Sequence, residues 1–312
     1  MFKQIRTGRA VLRVSQQLLK RHPVFLLPLM ASWLVYAPLL LYAKYFFPWQ
    51  ELTIAQWFLS AFFVLFAFTF ILASSNLIAL ELIQQLETGK PISVRTALAD
   101  TVKKDLIRSL PIMVGWAFLW LILILAEVML SKKKSNKEEF SPENAAKALA
   151  NYQDITIGEA LVRTVNKGLR IIIFLILPAI AWEGKRPIDA AKKGLTILHT
   201  HLYRFAKGFL VTELAALILF APPGLLFLVS DKLSVEFPDI IWYYAMAYCA
   251  FAWSLSVFIE QMFAAELYLW HLIWEKEVEI SQKRCTRIPK FVEVKRPDVL
   301  DEVNDFFRTS IS

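Results

Sequence analysis

The sequence predicts an all-α protein, a polytopic transmembrane helical bundle of about six spans with interfacial amphipathic helices on the cytoplasmic side. Three observations predict it. Of 312 residues, 57% are apolar and only 20% are charged, against roughly 45–50% and 25% in soluble domains. The apolar residues gather into runs near the ~20 residues that cross a bilayer as a helix. Lysine and arginine collect in alternate loops, the positive-inside pattern. Soluble, disordered and fibrous classes are excluded by this composition. A barrel is excluded as well, because short strands of alternating polarity are absent.

Residues 1–22 read as a basic amphipathic helix lying on the inner leaflet. Ile5, Leu12 and Leu19 recur every seven residues, while Arg6, Arg9, Arg13 and Lys20 gather on another side of the wheel. Those four are candidate contacts for anionic lipid headgroups. No small-residue cleavage site closes the first apolar run, so it reads as a retained span rather than a signal peptide.

The membrane domain covers residues 23–274, with spans expected at 24–45, 57–83, 110–130, 169–182, 209–229 and 240–274. The last is longer than a bilayer is thick, so its end should tilt or project. Basic residues crowd the N-terminus, the loop after the second span (Lys90, Arg95, Lys103, Lys104, Arg108) and the loop after the fourth (Lys185, Arg186, Lys192, Lys193). Both termini are therefore expected in the cytoplasm of a bacterial cell, with the chain in the inner membrane. The polar loop at 131–157 falls on the outer side although it begins Ser131-Lys132-Lys133-Lys134, which keeps a reversed or five-span arrangement as the alternative. Its composition suggests a mobile loop. Trp49, Trp57 and Trp242 fall at outer boundaries, and Trp182, Trp270 and Trp274 at inner ones, as interfacial anchors do.

Two further segments are two-faced. Val94, Leu98, Val102 and Leu106 recur every four residues. Ile188, Ala191, Leu195, Leu198, Leu202 and Phe205 alternate at three and four. The first follows Glu87-Thr88-Gly89-Lys90-Pro91-Ile92, the second Glu183-Gly184-Lys185-Arg186-Pro187-Ile188. Glycine can end one helix, and proline suits the first turn of the next. The unit of span, glycine–proline turn, amphipathic helix and span thus occurs twice. Trp274-Glu275-Lys276 echoes Trp182-Glu183-Gly184, and we read an ancestral hairpin repeat.

Gly8-Arg9-Ala10 through His22-Pro23, Ser75-Asn76-Leu77 with Leu86-Glu87-Thr88-Gly89, and Pro178 through Pro187-Ile188-Asp189-Ala190 together resemble an uncharacterised family of prokaryotic multi-pass integral membrane proteins. That family is loosely related to the membrane domain of glycerophosphodiester phosphodiesterases. The resemblance covers roughly residues 1–230. It implies six helices with interfacial helices, but no activity and no catalytic residues. The stretch 131–157 and the tail beyond Trp274 depart from its pattern.

The search for chemistry finds no phosphate loop and no Gly-x-Ser-x-Gly elbow. His199 and His201 point roughly 200° apart on a helix and cannot share a metal. Cys249 lies in an apolar run and Cys285 in a basic tail, so no disulfide is expected. No enzyme, cofactor, metal site or nucleic-acid partner is therefore expected. The better lead is intramembrane charge. Glu213, Glu260, Glu266, Glu81 and Asn76, with Gln261 nearby, are the candidate substrate or ion residues, most of them in the inner third of their spans. They serve either a cation, proton or headgroup site, or salt bridges to residues such as Arg108 or Lys207. Pro28, Pro38, Pro178, Pro222 and Pro223 interrupt apolar helices, and Pro222-Pro223-Gly224 should break the fifth. Such a break either lines a site or is a packed kink. The cytoplasmic tail, 275–312, ends in an amphipathic segment, 297–312, with an apolar and an acidic face, suited to docking on a protein partner. The expected role is a non-enzymatic scaffold or subunit of a membrane assembly; the alternative is a transporter or lipid-handling protein using the acidic residues.

Overall fold

The computed structural model describes residues 23–130 except 88, 140–150, and 157–294 except 234 and 236. The interfacial helix bearing Arg6, Arg9, Arg13 and Lys20, most of 131–157, and the terminal helix at 297–312 lie outside the described residues. The described chain is all-α, with no strand among the described residues, and six helices are long and apolar enough to cross a membrane.

The order is α1 (Leu27–Leu41), α2 (Ile54–Glu87), α3 (Val94–Asp100), α4 (Leu106–Leu130), α5 (Pro142–Leu149), α6 (Ile157–Ala181), α7 (Pro187–Thr200), α8 (Leu202–Leu233) and α9 (Asp239–Lys283). The core packs Phe25 and Leu29 with Leu77 and Leu80 of α2, Met113 and Trp116 of α4, Phe174 and Leu177 of α6, and Phe258 and Tyr268 of α9. The 45 residues of α9 reach about 67 Å, twice the ~30 Å hydrocarbon core. Here α9 runs past Trp274, where the sequence echo placed its end, as far as Lys283.

Helices α2 and α6 finish together at one end of the bundle, the turn face, while α9 passes this level near Tyr268 and continues to Lys283. Trp182 Nε1 donates to the Leu80 carbonyl at 3.4 Å, and Tyr268 hydrogen-bonds the Glu183 carboxylate. Gly89 and Gly184 take φ of 67° and 62°, the left-handed conformation that closes a helix at least cost to glycine. Lys90 N–H then returns to the Gln85 carbonyl at 2.9 Å. The end of α9 repeats the device with the wrong residue: Cys285 has φ 51°, and Thr286 N–H returns to the Ser281 carbonyl at 2.9 Å. A proline follows each time, at Pro91, Pro187 and Pro289.

The re-entering helices face the bundle with small and polar residues as well as with part of their apolar stripes, Val94, Leu106, Ala191, Leu198 and Phe205 packing on the core. Ala97, Thr101, Asp105, Ser109 and Met113 are buried four apart, while Leu98, Val102 and Ile107 are exposed. Between α3 and α4 the chain makes one π-helical turn, Thr101–Asp105. In α7, Ala190, Gly194 and Ile197 are buried, and Ile188 and Leu195 are exposed. A bundle in lipid gains nothing by hiding leucine from lipid, so small and polar residues take the helix contacts. Gly194 shows the tightness: a Cβ there would sit 2.6 Å from Ile176 Cγ1 and 3.2 Å from its Cα.

Three further expectations change. The fifth span is not broken: α8 runs through Pro222 and Pro223. Pro223 offers no N–H to the Leu219 carbonyl, and the Tyr248 hydroxyl donates there instead at 3.1 Å. The polar stretch 131–157 holds α5, capped by Ser141 Oγ accepting from Asn144 N–H at 3.1 Å. Its buried Ala146 packs with Phe227, Trp242 and Cys249. Lys147 grips Glu143 at 2.7 Å and Asp231 at 2.6 Å. Burial alone would lower that ammonium's pKa, but the two carboxylates outweigh it and raise it. Finally, Trp242 and Trp270 are buried in protein rather than spread along an interface.

Candidate functional site

The apolar run that marks the fourth span starts at Leu169, but α6 begins twelve residues earlier and carries Arg163, Lys167 and Arg170. Spacings of four and three put these on one helix face. Each meets an acid on a different helix. Arg163 Nε lies 3.9 Å from Glu127 of α4. Lys167 Nζ lies 3.1 Å from Glu213 of α8 and 3.4 Å from Glu260 of α9. Arg170 forks onto Glu260, Nε to Oε2 and NH2 to Oε1, both at 2.8 Å. Glu260 is fully buried.

This cluster brings together two of the sequence candidates, Glu213 and Glu260, through partners the sequence reading missed. It named Arg108 and Lys207 instead. Arg108 Nη1 reaches the Gly184 carbonyl at 3.4 Å, and Lys207 sits over the Tyr203 ring. Depth also differs. Arg170 lies eleven residues before the end of α6 and Glu213 eleven after the start of α8, about 16 Å from the turn face and so near midplane. Two cations and two carboxylates there leave the group neutral, which is how ionised side chains persist at that depth. A bidentate Arg–carboxylate pair also fixes geometry.

The other candidates lie elsewhere. Glu266 is buried on α9. Asn76 is fully buried, its Nδ2 donating to the Leu72 carbonyl at 2.7 Å, and its Oδ1 has no hydrogen-bond partner among the described residues. Glu81 is buried near the turn face, beside Asp105 of the π-helical turn. Gln261 is fully buried.

A second polar group joins α7, α8 and α9 at the turn face. Lys193 pairs with Glu275, Glu275 Oε1 lies 3.1 Å from His271 Nε2, and His271 Nδ1 lies 2.9 Å from His201 Nε2. Glu275 only accepts, so His271 Nε2 donates to it. Burial, then the nearby His271 and Arg204, lower the His201 pKa from 6.5 to about 4. The segment after α9 lies over this group. Phe291 packs on the His201 ring at 3.7 Å, Arg204 sits 4.6 Å from Phe291, and Trp270 and Trp274 donate to the Val294 and Pro289 carbonyls. The sequence reading paired His201 with its near neighbour His199, which is exposed; His271 has the right helix and depth but no local sequence signal.

Among the described residues, no three His, Cys, Asp or Glu side chains are grouped to hold a metal ion. Both cysteines are free, Cys249 buried and Cys285 exposed. The class that the fold defines is a multi-pass helical membrane protein. No family model, curated protein or solved structure matches the chain.

Proposed function

We propose that the chain is a non-enzymatic component of a bacterial inner membrane, a scaffold or subunit of a membrane assembly, with both termini in the cytoplasm. The observation that supports it is the ion cluster. Glu213 and Glu260, the carboxylates that a cation or proton site near midplane would use, are engaged by Lys167 and Arg170. Charge spent on holding α6, α8 and α9 together is structural charge. The basic N-terminal segment with Arg6, Arg9, Arg13 and Lys20 fits an anionic inner leaflet, and residues 297–312 fit a protein partner. The resemblance to uncharacterised multi-pass prokaryotic membrane proteins is in keeping with this reading.

The test is flux through proteoliposomes holding the full chain, read with a pH-sensitive dye and with sodium- and potassium-sensitive dyes. Flux should equal that of empty vesicles. Flux that is present in the native protein and lost in Glu260→Gln, with the fold retained, would sink the scaffold reading in favour of a transporter. Impermeant-maleimide labelling of single cysteines placed at Glu51 and Lys90 in intact cells should mark only the Glu51 site. The reverse pattern would invert the topology.

A further inference from the structure

We propose that the turn face holds a binding site for a phosphoethanolamine-type zwitterion, carried as a phospholipid headgroup or as the free compound. This rests on the membrane reading above, since it places the site where a headgroup would lie. A cavity of about 290 Å³ opens between the end of α2, the Gly89–Pro91 turn and α3. Ligand pockets run from about 300 to 1,000 Å³, so this one suits a group of headgroup size. Its charged lining is Glu81, Lys90, Asp100 and Lys104.

The ligand's chemistry follows from the charges that line the cavity. The two carboxylates of the lining, Glu81 and Asp100, are balanced in formal charge by Lys90 and Lys104. A neutral site favours a zwitterion over a net anion. Glu81 and Asp100 supply carboxylate acceptors to the cavity wall, and Lys104 Nζ lies 3.3 Å from Asp100 Oδ1. A primary ammonium brings three donors and a negative phosphate complements the lysines, whereas a quaternary ammonium brings no donor and is held by aromatic cages. No aromatic side chain lines this cavity. Leu98 and Val102, beside Asp100 and Lys104 in sequence, are exposed and offer apolar surface for acyl chains.

The experiment uses the full chain in detergent, titrated with phosphatidylethanolamine, phosphatidylcholine or phosphatidylglycerol of matched acyl chains, and separately with free phosphoethanolamine. Retention is read by native mass spectrometry and thermal stability by tryptophan fluorescence. We expect phosphatidylethanolamine to be retained about tenfold more strongly than the other two lipids, as one or two charge-assisted bonds provide. Lys90→Gln and Lys104→Gln should each weaken it several-fold. Their side chains are exposed, so both variants should fold. A thermal shift with the lipid alone assigns a lipid site; an equal shift with free phosphoethanolamine assigns the headgroup compound. Equal retention of all three lipids with no response to free phosphoethanolamine, or no change in either lysine variant, overturns the proposal. Flux in proteoliposomes bears only on the scaffold reading, so the two failures are distinguishable.

Discussion

Removing the Glu260 charge while leaving Arg170 in place should cost more than removing both. In the native cluster two cations face two carboxylates. Glu260→Gln keeps volume and one acceptor but leaves Lys167 and Arg170 facing Glu213 alone, a net positive charge near midplane. An uncompensated buried charge costs about 3–5 kcal/mol. Arg170→Gln with Glu260→Gln restores neutrality through Lys167 and Glu213, and it loses the two 2.8 Å bonds and the 3.4 Å Lys167–Glu260 ion pair. Measured polar contacts inside membrane bundles are worth about 0.6 kcal/mol and at most about 1.7. The double variant should therefore cost about 1–3 kcal/mol, below the single. The assay is equilibrium unfolding in mixed micelles, closed as a double-mutant cycle. If the two single costs simply add in the double variant, the pair does not couple and the clasp argument fails.

Gly208→Ala should destabilise by about 1–3 kcal/mol, because its Cβ would lie 1.9 Å from Phe263 Cζ. Gly168→Ala, which meets open space, should be neutral or stabilising by up to about 1 kcal/mol; equal effects in a melting assay would refute the packing account. Cys285→Gly should stabilise by about 1 kcal/mol, since a left-handed residue with a Cβ is strained by roughly that amount, and a lower melting temperature would contradict it. His201 holds its pKa at about 4 against 6.5, so the unfolded chain takes up a proton that the folded chain refuses between those values. Stability should thus be full above pH 6.5 and fall by about 1–2 kcal/mol toward pH 4, allowing for solvent screening. His201→Asn should flatten that slope in a pH series of unfolding curves.

The six spans were legible because run length and apolarity are properties of a segment by itself. The glycine–proline turns were legible because Gly89 and Gly184 are local conformational choices. What depended on three dimensions was not. The stripes at Leu98 and Leu195 were visible, but the side they turn toward depends on whether lipid or protein surrounds them. Glu213 and Glu260 stood out as costly, while Arg163 and Lys167 fall before the expected span of 169–182 and Arg170, just inside it, was passed over. The basic spacing on α6 was the available signal: three cations on one face ask for three acids. Asp105 was hidden because nothing local distinguishes it from the solvated acid Asp100. Asp105 and His201 lie at the same distance after Pro91 and Pro187, one in a π-helical turn and one at a helix break.

The cationic face of α6 also sets an order of assembly. A segment bearing Arg163, Lys167 and Arg170 enters hydrocarbon reluctantly by itself, at ~2.5–3.5 kcal/mol for each central charge. Of its neutralising acids, Glu127 is synthesised first, but Glu213 and Glu260 emerge only after α6 itself. We expect α6 to linger at the insertion machinery until α8 and α9 arrive. Chains truncated before Glu213 should then leave α6 accessible to a water-soluble glycosylation or labelling reporter, and chains extended past Glu260 should not. Equal accessibility in both would remove the charge cluster from any part in biogenesis.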